Sequence, residues 1–205
     1  MLYFNQLPKI YYDLTGKIPA NPIIVTDIMA RAKIIDSIKT NTLVYYEYDV
    51  KDTDTPEIIA EKYYGDASRY WIILLTNNIV DPFYDWVLPY NEFSKYIIGK
   101  YGSIQTAQTT IDHYIKTITK KDSSSGVISS DSYIIDNTTY DVLPDTESDD
   151  VNLSNGSTVT ITTTRGVVYQ YDNEFSINES KRRIKIIDKK YVGQIEKELK
   201  DMYTL

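Results

Sequence analysis

Between Thr55 and Asn78 the chain carries two short helices with their own start and stop signals, and this stretch constrains the fold most. Thr55 is a good N-cap, and Pro56 stands at the first helical position, where its missing N–H costs nothing. The run "PEIIAEKYY" places Ile59 and Tyr63 on one buried face, and Gly65 stops it. Asp66 then caps "ASRYWIILLTN", with Trp71, Leu74, Leu75 and Asn78 on one side, and Asn77-Asn78 ends it. Upstream, "LVYYEYDV" (Leu43–Val50) alternates and is rich in Val and Tyr, which reads as a strand. Downstream, Asp81-Pro82 turns into "FYDWVL", read as a closing strand before Pro89. The order is strand, helix, helix, strand.

Composition narrows the classes of function. The 205 residues suffice for one or two domains with a real core. Twenty Tyr stand against four Phe, an excess that favours surfaces wet before assembly and buried after it. With no Cys, disulfides and thiolate metal sites are excluded, and the single His113 rules out a multi-His centre. A net charge of −7 argues against a chain held to nucleic acid by phosphate contacts. The opening residues lack a basic n-region followed by an apolar h-region, so no signal peptide is expected. Runs such as "WIILL" are too short to span a bilayer. The expectation is a soluble protein of a reducing compartment, with no cofactor and no metal.

The flanks differ from the central stretch. "LYFNQLPKIYYDL" is an aromatic arm that Pro8 and the Gly16/Pro19/Pro22 cluster keep extended or irregular. With too little local structure for a core of its own, the arm either packs on the rest of the chain or reaches to a neighbour. Its Tyr3, Phe4, Tyr11 and Tyr12 are candidate partner contacts, expected to serve incorporation into a larger assembly rather than folding. Asp27 is placed to cap a helix through "IMARAKIIDSIK". "NEFSKYIIGKY" and "SIQTAQTTIDHYIKTIT" both read as helices, the second capped by Ser103, with His113 just off its apolar face as a structural residue. From Lys120 the chain turns Ser/Thr/Asp-rich, with short strands. A hairpin is expected at Arg165-Gly166 and a turn at Asn155-Gly156, and "DTESDD" reads as a solvated loop. "RIKII" is strand-like, and after Asp188 a helix carries Val192, Ile195, Leu199 and Met202 on one stripe. Val192, Ile195 and Leu199 are further candidate partner contacts. The basic run Lys181, Arg182, Arg183 and Lys185 is expected in ion pairs, within or between chains.

The block from Leu43 to Pro89 resembles a LysM module, and most of all the variant of phage tail proteins in which "YYGD.S.YW.I...N.I.DPF" recurs. The opening "YF..LP.I.Y", the Asp-Ile-Met-Ala-Arg segment, the "HYI" helix and the tail "EF.INE.KR.IKIID..YV.QI..E" together resemble the baseplate wedge protein 53 family of contractile-tailed (myovirus-type) bacteriophages. The resemblance covers both ends and roughly the first 118 residues, leaving out the Ser/Thr/Asp-rich stretch. Together with the elements read above, it gives the expected α+β fold: an arm and helix over 1–42, a LysM-like strand-helix-helix-strand module over 43–89 and a helical segment over 90–119. A β-rich outgrowth follows over 120–172, and a C-terminal strand and helix over 173–205. It further implies a structural subunit of the virion's tail baseplate, assembled in the host cytoplasm. Its partners would be other wedge proteins of the inner baseplate and neighbouring wedges, with no nucleic acid and no membrane.

Two other readings compete with assembly. A LysM groove would hold N-acetyl sugars of peptidoglycan between the turn Thr53, Asp54, Thr55 and the segment Ile79, Val80, Asp81. That needs free backbone polar groups and an open cleft, whereas the second segment is bulky. Phe83, Tyr84 and Trp86, which could stack on sugars, are expected instead to pack the module against flanking helices. A hydrolase would need two carboxylates held roughly 5–9 Å apart across a cleft. No motif arranges Glu61, Asp66, Asp81 and Asp85 that way, so no catalytic residue is assigned.

Overall fold

A computed structural model describes residues 3–13, 16, 22–30, 32, 43–154 and 156–203, with Phe4 and Gln6 described by backbone alone. The fold is α+β. A 3-10 turn (Tyr3–Gln6) opens the chain, followed by β1 (Lys9–Tyr12), β2 (Ile23–Thr26) and β3 (Tyr45–Asp49). Then come α1 (Pro56–Tyr64), a 3-10 turn (Ala67–Arg69), α2 (Tyr70–Thr76), α3 (Pro82–Asp85), α4 (Tyr90–Tyr101) and α5 (Ile104–Thr109). Next are β4 (Ile111–Asp122), β5 (Gly126–Ile135), α6 (Asn137–Val142), β6 (Thr146–Asn152) and β7 (Thr158–Tyr169). The chain closes with α7 (Gln170–Ser180), β8 (Arg183–Ile187) and α8 (Lys189–Tyr203). Contacts divide it into two compact units: residues 1–89 with 179–205, and residues 90–178.

In the first unit the capping signals act as read. The Thr55 hydroxyl accepts from the Ile58 N–H, Pro56 opens α1, and Gly65 ends it at φ 72°, where other residues are strained. The Asp66 carboxylate accepts from the Ser68 N–H and starts the turn that leads into α2. The buried faces are rotated from those expected. Tyr64, not Tyr63, reaches the core beside Ile59 and Ala60, while Tyr63 stands edge-on against Tyr48. On α2 the core takes Trp71, Ile72, Ile73 and Thr76, and leaves Leu74 and Leu75 half-buried.

The closing strand is the main correction. Residues from Phe83 do not form a strand, because Asp81-Pro82 repeats the Thr55-Pro56 signature and starts α3, with Asp81 accepting from the Phe83 N–H at 2.9 Å. The partner of β3 is instead β8, antiparallel, with Tyr45 opposite Ile187 and Asp49 opposite Arg183. Two helices and two strands thus meet in space although the whole second unit intervenes in sequence. Asn77 fixes the join. Its side-chain amide donates to the Lys185 carbonyl and accepts from the Lys185 N–H, both at 2.8 Å.

The C-terminal helix forms as expected, with the Asp188 carboxylate accepting from the Lys190 N–H. Its stripe, however, faces the chain's own core. Val192 and Leu199 are buried and Ile195 packs against the same cluster, so these three are not open to a partner as proposed from sequence. The arm is likewise part core. Leu7 is buried, and the Tyr3 ring lies 5.4 Å from Trp71, centroid to centroid. The start of the arm therefore packs on the rest of the chain, one of the two alternatives read from sequence, and contributes to folding, contrary to the expectation that it serves incorporation alone. Of the helix expected after Asp27, only the beginning is described: the Asp27 carboxylate accepts from the Met29 N–H in a turn, and the rest lies outside the described residues.

The second unit contains a four-stranded antiparallel sheet ordered β5-β4-β7-β6. The helix expected from Ser103 through Ile118 stops at Thr109. Beyond it Thr110, Ile111, Ile115, Thr117, Ile118 and Thr119 are β-branched, and β4 pairs on both sides. His113 lies on this strand, its ring nitrogen 2.7 Å from Asp112. The expected hairpin at Arg165-Gly166 is absent, since β7 runs straight through it. Gly166 serves close packing, because a Cβ there would lie 3.3 Å from the Ile115 side chain. The turn at Gly156 is present at φ 86°, and "TESDD" is an exposed edge strand rather than a loop.

One buried charge stands out in this unit. Glu174 accepts from Lys100 Nζ at 2.6 Å, Tyr101 at 2.8 Å and Tyr96 at 3.0 Å. Burial pushes its carboxyl up, but these three donors more than offset that and hold it below the usual range. A carboxylate depressed on folding stabilises above its unfolded value of about 4.3, and that contribution fades as pH falls through the folded value. The second unit should therefore lose melting temperature below about pH 4.3, and Glu174→Gln should flatten that loss. Equal acid sensitivity in the variant would contradict this role.

Candidate assembly surface

The first unit contains an apolar groove of about 540 Å³, bordered by α2, Asn78, Ile79, Val80 and Pro82, and by Tyr3, Ile28, Ala30 and Ala32. None of its lining residues is charged. Ile79 and Val80, expected in a groove, line this one, but the turn Thr53, Asp54, Thr55 does not. Asp81 caps α3 instead, and Thr55 caps α1.

Several polar groups of the two segments are already engaged. The Asp85 carboxylate accepts from the N–H groups of Val80 and Asp81, both at 3.0 Å, and those bonds hold it below the usual range. The Asp54 carbonyl accepts from the Trp86 indole at 3.2 Å, and the Asp54 carboxylate accepts from Tyr48 at 2.5 Å. That bond, with burial, pushes the Tyr48 phenol up to about 12. Burial pushes Asp54 up, but Tyr48 and the Lys51 N–H outweigh it and leave the carboxyl lowered. Trp86, just beyond α3, is thus tied to the Thr53, Asp54, Thr55 turn.

Around this region large apolar side chains stand in solvent: Ile28, Met29, Val80, and also Phe83 and Tyr84, which were expected from sequence to pack against flanking helices. Contiguous exposure of this kind marks an interaction surface. Of the arm's candidates, Tyr11 and Tyr12 are exposed on the β1–β2 ribbon, Tyr3 is packed inward, and the Phe4 side chain lies outside the described residues. The basic run is engaged within the chain. Arg182 pairs with Glu179 and Asp52, Arg183 pairs with Asp49, and Lys181 donates to the Tyr84 carbonyl.

Comparison with known proteins identifies the setting of this surface. The family described as "Base plate wedge protein 53" matches residues 2–201, nearly the full chain. The chain belongs to the base plate wedge protein 53 family. A stretch of 57 residues is 32% identical to the baseplate wedge protein gp53 of Enterobacteria phage T4, covering 28% of this chain and 29% of that relative's length. As a member of the base plate wedge protein 53 family, the chain is a structural component of the phage virion's tail baseplate.

Sequence reasoning did not single out the internal roles of Asn77 and Asp85 in this wedge family member, nor the exposed Ile23, Ile24 and Met29. For Asp85 a signal was present, because an acid three residues after an Asp-Pro start is placed to reach back to the helix's opening N–H groups. For Asn77 none was, since its partner lies 108 positions away.

Proposed function

We propose that this family member joins other wedge proteins of the inner baseplate and promotes association of adjacent wedges into the hexagonal plate, without enzymatic chemistry. The observation that carries this reading is the contrast around α3. The N–H groups of Val80 and Asp81 and the carbonyl of Asp54 are satisfied internally, while Val80, Phe83 and Tyr84 stand in solvent. Such a surface offers apolar contact and little hydrogen bonding. It suits a protein partner better than the N-acetyl sugars of peptidoglycan, which need polar groups to orient them.

Purified protein should bind partially built wedges and should not co-sediment with peptidoglycan. Replacing Phe83 and Tyr84 by Ser should weaken wedge binding at least tenfold without changing the melting temperature. Saturable peptidoglycan binding with no affinity for wedges would overturn the proposal.

A further inference from the structure

The β6 strand is a straight, open edge of the second unit's sheet. It pairs with β7 alone, antiparallel, from Thr146 opposite Thr164 to Asn152 opposite Thr158, and no bulge interrupts the register. All 7 of its residues are exposed, and none is a proline. In an antiparallel edge strand every second residue turns its N–H and C=O outward. No described strand pairs with that outward row. The opposite edge, β5, is not equivalent, because its register with β4 shifts at Lys120/Lys121 and leaves Ile128 unpaired. Bulges of that kind close an edge, whereas a straight edge is the template on which an extended segment adds as a further strand.

The side chains divide β6 into a settled face and an unsettled one. On the first, Ser148 bonds to Thr162 at 3.2 Å, Thr160 donates to Asp150 at 2.6 Å, and Thr158 donates to Asn152 at 2.9 Å. On the second, Glu147 and Asp149 lie opposite Thr163 and Ile161, and neither carboxylate has a hydrogen bond or ion pair to a described residue. Two residues apart on one strand face, they stand about 7 Å from each other. Alternate side chains of any extended segment laid alongside repeat at that same spacing.

Charge decides what lies alongside. A second β6 would set acid against acid, and like charges directly opposite each other destabilise a strand pair. The β5 edge of a second copy offers no countercharge, since "GVISSDSYII" carries only Asp131, of the same sign. An extended segment with Lys or Arg at two alternate positions satisfies both the outward main-chain groups and the two carboxylates. Edge charges also discourage indiscriminate pairing, and the carboxylates that turn away neutral and acidic strands select a basic one.

We infer that β6 is a strand-addition site for a basic extended segment of another baseplate protein, with two alternate Lys or Arg side chains set against Glu147 and Asp149. This contact is independent of wedge joining and stands or falls without it.

The test titrates the full chain with the peptide acetyl-Val-Thr-Lys-Thr-Lys-Thr-Val-amide. A second peptide of the same sequence is N-methylated at every residue, which keeps both charges and removes the strand's N–H donors. The first peptide should bind saturably, and more weakly as salt rises. The methylated one should bind at least tenfold more weakly. Equal binding of the two would mean attraction by charge alone and would overturn the inference, as would the absence of saturable binding. Glu147→Gln/Asp149→Asn should cost at least tenfold in affinity at an unchanged melting temperature, whereas Asp131→Asn on β5 should cost nothing. Full affinity in the Glu147→Gln/Asp149→Asn variant would contradict the assignment. In purified baseplates the outward amides of β6 should exchange with solvent at least tenfold more slowly than in the free chain, and equal exchange would show that no strand is added there.

Discussion

A chain ending at Asn178 is expected to have an unfolded first unit. The residues removed include Ile184, Ile186, Ile187, Val192 and Leu199, all buried in the core they share with α1 and α2. Burying a large aliphatic side chain stabilises by roughly 1.5–3 kcal/mol, so their joint loss is of the same size as the roughly 5–15 kcal/mol that holds a typical domain together. The truncation also strips β3 of its only described strand partner and Asn77 of both its backbone partners on Lys185. Tryptophan emission reports this directly, because Trp71 and Trp86 are the chain's two Trp and both lie in the first unit. The truncated chain should emit at the wavelength of solvent-exposed indole and lose one cooperative transition. A native-like emission maximum would mean that the first 89 residues form a core by themselves, and the split module would be wrong.

Trp71→Ala should have the largest effect of any single substitution in α2. The side chain is buried between the helix pair and the arm, and a large aromatic removed from a core typically costs about 3–5 kcal/mol. The loss should appear as a lower urea midpoint for the first unit. It should also loosen the arm, since Tyr3 would no longer have the indole to pack against. A cost below about 1 kcal/mol, well under the usual range, would mean that the indole is dispensable to packing and would return it to a role in ligand stacking.

The helix pair was legible because its signals are local. Thr55-Pro56, Gly65 and Asp66 act within a few residues of themselves, and each does in the structure what its chemistry requires. Misreadings arose where a local pattern met a distant competitor. The Ile111, Tyr114 and Ile118 spacing suits a helix, yet two neighbouring strands claim those residues for β4. The "FYDWVL" run suits a strand, but Asp81-Pro82 starts a helix, and the open place beside β3 goes to "RIKII", more than ninety positions later. Gly166 signalled a turn because close packing against Ile115 leaves no mark in sequence separate from a turn's.

The candidate surface was legible only in part. The Tyr excess pointed to interfaces, and Tyr11 and Tyr12 are indeed exposed. Val192 and Leu199 shared the same amphipathic signature as an association helix, but such a stripe does not say whether its cover lies within the chain or beyond it. Here β8 brings the helix back onto its own core.

The proposed role is that this chain makes separate wedges close into a plate. The direct measurement is to purify wedges assembled without the chain, add it back in equal number, and count closed rings by electron microscopy. Wedges alone should remain single, and addition of the chain should convert most of them to six-membered rings. Rings forming equally well without it would contradict the account.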